Sequence, residues 1–302
     1  MKIRKAVIPA AGMGTRFMPA TKSIPKEMIP ILDVPMIQYI VEEAVRSGLK
    51  DIVLITARHK DAIDSHFDFN PELEAFLESK QKKELAEVSR ALGRYCNLIS
   101  IRQKNPAGLG HAVLCAAPAI GDEPFAVLLG DDLIDSEEPC TAQMIRVANE
   151  MQGSVVAIME VAAAETSKYG IVSGVERRPG IVEVNDLVEK PKPEVAPSRW
   201  AIPGRYILES RVFDAIRRTP VGAGGEIQLT DALRLLARES KLFGATFSGV
   251  RYDTGDRMGY LDATLAFSLR RPELKSAVES LILQYADKIQ KNRESDSSRS
   301  RK

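Results

Sequence analysis

The sequence predicts an α/β protein built on an open sheet, and three observations predict it. Short apolar runs alternate with segments of helical periodicity. The first two runs, Lys5 to Ala10 and Asp51 to Ala57, flank one amphipathic helix, which makes a βαβ unit. Two apolar runs end abruptly in glycine-containing polar loops, after Ala10 and after Leu129. Open α/β sheets bind ligands at the carboxyl ends of such strands.

Each element has its own reason. Lys5 to Ala10 is short, apolar and followed by glycines, as a buried parallel strand should be. Gly12 to Asp33 is polar and carries Pro19, Pro25 and Pro30, so it reads as a long loop. Loops of that length in a compact domain are usually functional. Met36 to Ser47 puts Met36, Ile37, Ile40, Val41, Ala44 and Val45 on one helical face, with Pro35 at the start and Gly48 at the stop. Asp51 to Ala57 is a second buried strand. Asp61 to Arg94 is charged and nearly free of glycine, and reads as a helical insertion of two helices around Asn70-Pro71.

Ile99 to Gln103 returns to strand. Gly110 to Ala117 reads as a helix ended by Pro118. Phe125 to Leu129 is a third buried strand, running into Gly130-Asp131-Asp132. Cys140 to Gln152 is helical and Ser154 to Val161 extended. From Tyr169 to Tyr206 glycines and prolines punctuate short runs, which suggests hairpins and a small antiparallel extension. Thr230 to Ser240 and Met258 to Arg271 are helices, and Pro272 opens a last one to about Ile289. The charged, serine-rich tail, Asn292 to Lys302, is read as disordered.

Composition narrows the function classes. The 302 residues are 44% hydrophobic and 27% charged, as in soluble globular proteins. That length suits two domains or one large α/β domain with an insertion. The net charge of +1 argues against a dedicated nucleic-acid binder. Cys96, Cys115 and Cys140 are odd in number and far apart, so structural thiols in a reducing compartment are expected, without disulfide or zinc. No apolar stretch has the length of a signal peptide or membrane span, and a cytoplasmic protein with no membrane partner is expected.

The loop after the first strand reads Ala10-Ala11-Gly12-Met13-Gly14-Thr15-Arg16. Its glycines let backbone N–H groups approach an anion, and Arg16 suits phosphate oxygens. Lys22 and Pro25-Lys26 add cations. A dinucleotide fingerprint would need a third glycine where Phe17 stands, and a Walker A loop would need glycine before Lys22. A bare G-x-G would be a simple turn. G-x-G-T-R followed at fixed spacing by P-K, directly after an N-terminal buried strand, is not.

This arrangement, A-G-x-G-T-R-x8-P-K, resembles the nucleotidyltransferases that make nucleoside-diphosphate sugars. The whole block Lys5 to Gln38 is similar to the bacterial UTP–glucose-1-phosphate uridylyltransferases, and the resemblance extends to about Arg271. It implies a Rossmann-like open mixed sheet of the nucleotidyltransferase type, with the helical insertion at 61–94 and the sugar-binding extension at 169–206. One catalytic domain would span 1–290, with the tail at 291–302. Ala10, Ala11, Gly12, Gly14 and Thr15 would then wrap the nucleotide.

Other positions carry weaker signals alone. Gly130-Asp131-Asp132 could be a capping turn or a Mg²⁺ site; Val250 to Tyr252 leads into a second strand-end carboxylate, Asp253. The resemblance implies Mg²⁺ as cofactor on Asp131 and Asp253, with Asp132 on the nucleotide. Asp256 could equally cap the next helix. Gln103 ends a strand, and its carboxamide could match the O4 and N3–H edge of uracil or merely be a polar surface group. The resemblance puts it on the base, with Gly108 beneath. His111 reads as packing or capping.

Val188-Glu189-Lys190-Pro191 is an ordinary charged turn by itself. The resemblance gives Glu189 the sugar hydroxyls and Lys190 the sugar phosphate. It also implies backbone contacts to the sugar at Gly170, Ile202 and Gly204. Gly225 to Asp231 reads mainly as a helix entry near the site.

The implied reaction is uridylyl transfer from UTP to glucose 1-phosphate, releasing pyrophosphate. Arg16 and Lys26 would act on the pyrophosphate portion. Thymidylyl transfer is the alternative within the class. An N-acetylglucosamine-1-phosphate enzyme is disfavoured because no hexapeptide-repeat tail follows. A non-catalytic nucleotide-sugar-binding regulator is the rival from another class, yet the arginine, lysine and aspartates are all present. The resemblance also implies a homo-oligomer, dimer or tetramer.

Overall fold

The first apolar run forms β1 (Lys5–Pro9), and the loop beyond it folds into 3₁₀ turns before the ribbon β2 (Pro30–Ile31) and β3 (Val34–Pro35). Helix α1 (Met36–Arg46) and strand β4 (Asp51–Thr56) complete the βαβ unit. This is a computed structural model describing residues 1–299. The insertion holds three helices rather than two, α2 (Asp61–Phe67), α3 (Pro71–Ser79) and α4 (Lys83–Gly93). The extra break falls where Gln81 takes a left-handed φ of 58°, a conformation that no helix propensity scale anticipates. The chain continues as β5 (Asn97–Arg102), α5 (Leu109–Cys115) and α6 (Ala117–Ile120). Pro118 therefore sits inside the first turn of a short helix, where its missing N–H costs nothing, and does not simply end the preceding one.

Then come β6 (Phe125–Leu128), β7 (Asp132–Asp135), α7 (Cys140–Met151), β8 (Ser154–Ala157) and β9 (Met159–Glu160). The hairpin β10 (Gly170–Arg178) and β11 (Ile181–Glu189) is antiparallel as expected, and β12 (Trp200–Ala201) pairs with β10. Strand β13 (Arg205–Leu208) corrects the expectation for 169–206. Its last residues leave the extension and enter the centre of the main sheet, antiparallel to both β6 and β8. The run is apolar apart from Arg205, so burial on both faces suits it. The rest is α8 (Val212–Arg218), α9 (Leu229–Glu239), β14 (Leu242–Ala245), β15 (Val250–Asp253), α10 (Arg257–Arg270) and α11 (Pro272–Arg299). Helix α11 also corrects the tail reading. It continues through Asn292 to Arg299, its 288–294 stretch being made of good helix formers such as Lys, Gln, Arg and Glu. Residues 300–302 lie outside the described residues.

Eleven strands form one mixed sheet in the order β5-β4-β1-β6-β13-β8-β14-β11-β10-β12-β9. Alternate residues divide its two faces. Ala6, Ile8, Ile52, Leu54, Ala126 and Leu128 enter a core with α1 and α7. Val7, Val53, Ile55, Phe125 and Val127 enter a second core with α5, α8 and α9. Strand β1 lies between β4 and β6 and is parallel to both. The connection from β1 goes to one side and the later strand adds on the other, so a switch point opens between the carboxyl ends of β1 and β6. The loops starting at Ala10 and Leu129 emerge there.

Candidate active site

The loop after β1 is shaped by Gly14, whose φ of 65° is left-handed. A Cβ there would lie 2.8 Å from Lys26 Cβ, so any side chain at 14 would displace Lys26. Thr21 Oγ1 donates to the Gly14 carbonyl at 2.8 Å and closes the loop. Gly12, Met13, Thr15 and Arg16 stay exposed around it, with Ala11 partly so. Ala10 is buried, its N–H on the Ile55 carbonyl and its own carbonyl accepting from Lys60 Nζ.

Lys26 turns inward and places Nζ 2.6 Å from Asp131 Oδ2. The two loops at the switch point are thus joined by an ion pair. Burial opposes the Lys26 charge, but Asp131, Glu27 and Asp132 outweigh it and hold the ammonium above its usual pKa. Burial would likewise raise Asp131, yet Lys26 prevails and holds that carboxyl below the usual range. Arg16 Nη1 reaches the Gly255 carbonyl at 3.3 Å, and Arg257 Nε returns a bond to the Arg16 carbonyl at 3.1 Å.

Asp253 reaches the same place by pairing. Strand β15 forms a separate antiparallel ribbon with β7, and its register sets Asp253 opposite Asp132. Thr254, fully buried, donates N–H and hydroxyl to the Asp131 carbonyl, both at 2.9 Å. A Cβ on Gly255 would lie 3.0 Å from Asp131 Oδ2 and 3.2 Å from Asp253 Oδ1, so the two carboxylates face one small space. Hard carboxylate oxygens from two strand ends suit Mg²⁺, which takes one or two protein carboxylates and completes its shell with phosphate and water. No cluster of three ligating side chains occurs among the described residues. Burial pushes Asp132 up to about 7, with Arg251 pulling it down and Asp131 and Asp253 adding to the rise. Asp256 caps α10, accepting from Met258 N at 3.0 Å and Gly259 N at 3.4 Å, which resolves its reading as a cap.

On the other flank, Gln103 is buried at the end of β5. Its Nε2 bonds to the Gly108 carbonyl at 3.1 Å and His111 Nδ1 at 2.9 Å. His111 therefore holds the carboxamide. With Nε2 engaged, Oε1 is the group left to meet a ligand, which narrows the donor-and-acceptor role expected for Gln103 to an acceptor. Gly108 has φ 95°, and a Cβ there would come within 2.7 Å of Glu226 Cβ and 2.8 Å of the Ile227 carbonyl. Ile227 N–H donates to the Ala107 carbonyl and the Ile227 carbonyl accepts from Gly110 N–H, so the Gly225–Asp231 segment buttresses this loop.

The β10–β11 hairpin supplies the third group. Its register sets Gly170 opposite Glu189. Thr230 Oγ1 donates to Glu189 Oε2 at 2.6 Å and fixes that carboxylate. Lys190 is exposed, has φ 45°, and places Nζ 3.4 Å from Glu189 Oε1. An open cleft of about 570 Å³ lies against Glu189, Lys190, Glu226, Gln228, Asp231 and Arg234. Ile202 and Gly204 are buried. Ile202 N bonds to the Gly170 carbonyl, and the Gly204 carbonyl accepts from Leu129 N, so these main-chain groups brace the site from within.

Several functional neighbours escaped the sequence reading. Arg205 is fully buried beneath the Gly130-Asp131-Asp132 turn, bidentate to Glu43 and bonded to the Asp132 carbonyl at 2.6 Å. Lys60 grips both Glu27 oxygens and the Ala10 carbonyl. Arg251 binds Asp132 Oδ1 at 2.6 Å and the Tyr169 hydroxyl at 2.6 Å. A charged residue opening an otherwise apolar strand was the available signal for Arg205; the mixed strand VRYD offered none for Arg251.

Comparison with known proteins identifies the family. The sequence model of the family described as nucleotidyl transferase matches residues 5–268. A UTP–glucose-1-phosphate uridylyltransferase of Bacillus subtilis, YngB, is 51% identical over 91% of this chain and 93% of its own. A solved UDP-glucose pyrophosphorylase complexed with UDP-glucose is 42% identical, with a TM-score of 0.83 over 89% of this chain and 100% of that one. A UTP-bound enzyme of the same kind from Acinetobacter baumannii is 39% identical, with a TM-score of 0.85 over 93% of this chain and 99% of its own. Family match, sequence identity and shared architecture converge: the chain belongs to the nucleotidyl transferase family, in its branch of UTP–glucose-1-phosphate uridylyltransferases.

Proposed function

We propose that this protein transfers the uridylyl group of UTP to glucose 1-phosphate, giving UDP-glucose and pyrophosphate. The observation that carries the reading is the Lys26–Asp131 pair, which joins the two strand-end loops at the switch point. A sugar-phosphate oxygen attacks the α-phosphorus of UTP in line. The new P–O bond forms as the bond to the pyrophosphate oxygen breaks, and the departing pair stays on pyrophosphate. All reactants are anions, so catalysis is positioning and charge neutralisation.

Arg16 and Lys26 take the pyrophosphate portion, and Lys190 takes the attacking phosphate. The N–H groups of Ala11 to Thr15 wrap the triphosphate. Gln103 Oε1 accepts the N3–H of uracil, a proton that cytosine lacks. Glu189, held by Thr230, accepts sugar hydroxyls, with the backbone at Gly170, Ile202 and Gly204 forming the wall. Asp131 and Asp253 would hold Mg²⁺, with Asp132 beside them. When bound, the metal supplies charge screening and orientation of phosphate oxygens.

The exposed apolar side chains Met258, Leu261, Leu281, Leu283 and Tyr285 on α10 and α11 support the homo-oligomer reading, which light scattering tests. No helix among the described residues is long and apolar enough to cross a membrane.

The experiment is pyrophosphate release with glucose 1-phosphate and Mg²⁺, run against UTP, dTTP, ATP, CTP and GTP. Fast release with UTP alone is expected. Preference for dTTP would move the reading to thymidylyl transfer. Tight UDP-glucose binding without release from any nucleotide would make the protein a regulator.

A further inference from the structure

Arg251 lies where the metal-side carboxylates and the sugar-phosphate side meet. Its side chain is 13% exposed. One edge binds Asp132 through Nε at 2.6 Å and sits 3.3 Å from Asp253 Oδ2. Nη1 donates to the Tyr169 hydroxyl at 2.6 Å, and the guanidinium carbon is 5.0 Å from the Tyr169 ring centre. Tyr169 in turn accepts the N–H of Lys190 on its carbonyl at 3.0 Å. Lys190 has a left-handed φ of 45°, and this bond to Tyr169 helps to hold that backbone conformation.

A continuous chain of contacts therefore runs from Asp132 and Asp253 through Arg251 and Tyr169 to Lys190. The two ends belong to different parts of the fold. The aspartates sit on the β7–β15 ribbon, whereas Tyr169 and Lys190 border the β10–β11 hairpin. A lysine could neutralise the carboxylates as a point charge. It could not also reach Tyr169 in a fixed fork.

We propose that Arg251 is a positioning residue that sets the distance between the phosphate-activating aspartates and the lysine holding the attacking phosphate. It works through Tyr169 and fixes the in-line geometry of the transfer. The proposal rests on the roles given above to Asp253 and Lys190.

The test is steady-state kinetics of Arg251→Lys, Tyr169→Phe, the double variant and Lys190→Ala, with both substrates varied. Misplacement of reacting groups by about 1 Å lowers rates by roughly a hundredfold. Arg251→Lys is expected to lower kcat by roughly tenfold to a hundredfold while the KM for UTP changes less than about threefold. Tyr169→Phe is expected to lower kcat by a smaller factor, and to add almost nothing once Arg251 is lysine, because the two act as one unit. Wild-type kcat in Arg251→Lys, or losses that multiply independently, would overturn the proposal. So would a fall in melting temperature with kcat intact, which marks a purely structural residue. Near-normal turnover in Lys190→Ala would instead overturn the underlying assignment of Lys190, so the two failures are told apart.

Discussion

Lys26 Nζ stands 2.6 Å from Asp131 Oδ2, a cation from the loop after β1 against a carboxylate from the loop after β6. On the proposed reading, the pair pre-sets both groups for a phosphate chain laid across the switch point. Lys26→Met should lower turnover by about 10²–10³-fold, as loss of a preorganised charge at a reacting phosphate does. Its folded content by circular dichroism should be unchanged. Turnover near wild type would remove Lys26 from the site.

The same pair has a pH signature. Asp131 is held below the usual carboxylate range, so its contribution to stability is present above the unfolded pKa and is lost as pH falls through the folded value. Urea melts of wild type and Asp131→Asn should differ by a constant amount near neutrality. The difference should shrink below about pH 4, where carboxylates titrate. A gap that widens in acid would contradict the assignment.

Arg205 is under the Gly130-Asp131-Asp132 turn, and Glu43 neutralises it; their side chains are 1% and 7% exposed. Removing one partner leaves a buried charge without its counterion. Glu43→Gln should cost about 3–5 kcal/mol in denaturant unfolding. Replacing both with apolar residues of similar volume should cost less. A double variant whose loss equals the sum of the two single losses would show that the pair is not coupled.

Thr230 fixes Glu189 through a 2.6 Å bond to Oε2. A hydrogen bond to a charged group contributes about 1.5–3 kcal/mol. Thr230→Val should therefore raise the KM for glucose 1-phosphate by about ten- to a hundredfold and leave that for UTP nearly unchanged, with Thr230→Ser restoring most of it. An equal effect on both substrates would argue against a sugar-side role.

All three thiols are raised by burial, Cys96 to about 11. Thiolate is the reactive form. Titration with a disulfide reagent at neutral pH should be slow in native protein and release three equivalents quickly in denaturant. Rapid native reaction at one cysteine would identify a thiol that opens locally.

The sequence by itself determined most of the elements and the glycine-bearing loop after β1, though not the third helix of the insertion or the helical tail. The apolar runs at β1, β4 and β6 and the face of Met36, Ile37, Ile40, Val41 and Ala44 are local patterns, and each became the expected strand or helix. Gly14 and Lys26 were legible because their spacing is short and their chemistry specific. Other features depend on residues distant in the chain. That β13 enters the centre of the sheet follows from pairing with β6 and β8, which no local periodicity encodes. Glu43 finds Arg205, 162 positions away, and Arg251 finds Tyr169, 82 positions away. A buried guanidinium needs its carboxylate or hydroxyl wherever the fold brings one, and only the tertiary structure decides which residue that is. The same limit applies to Gln103. Its carboxamide was visible at a strand end, but which of its atoms remains for a ligand was settled by Gly108 and His111 closing on the other.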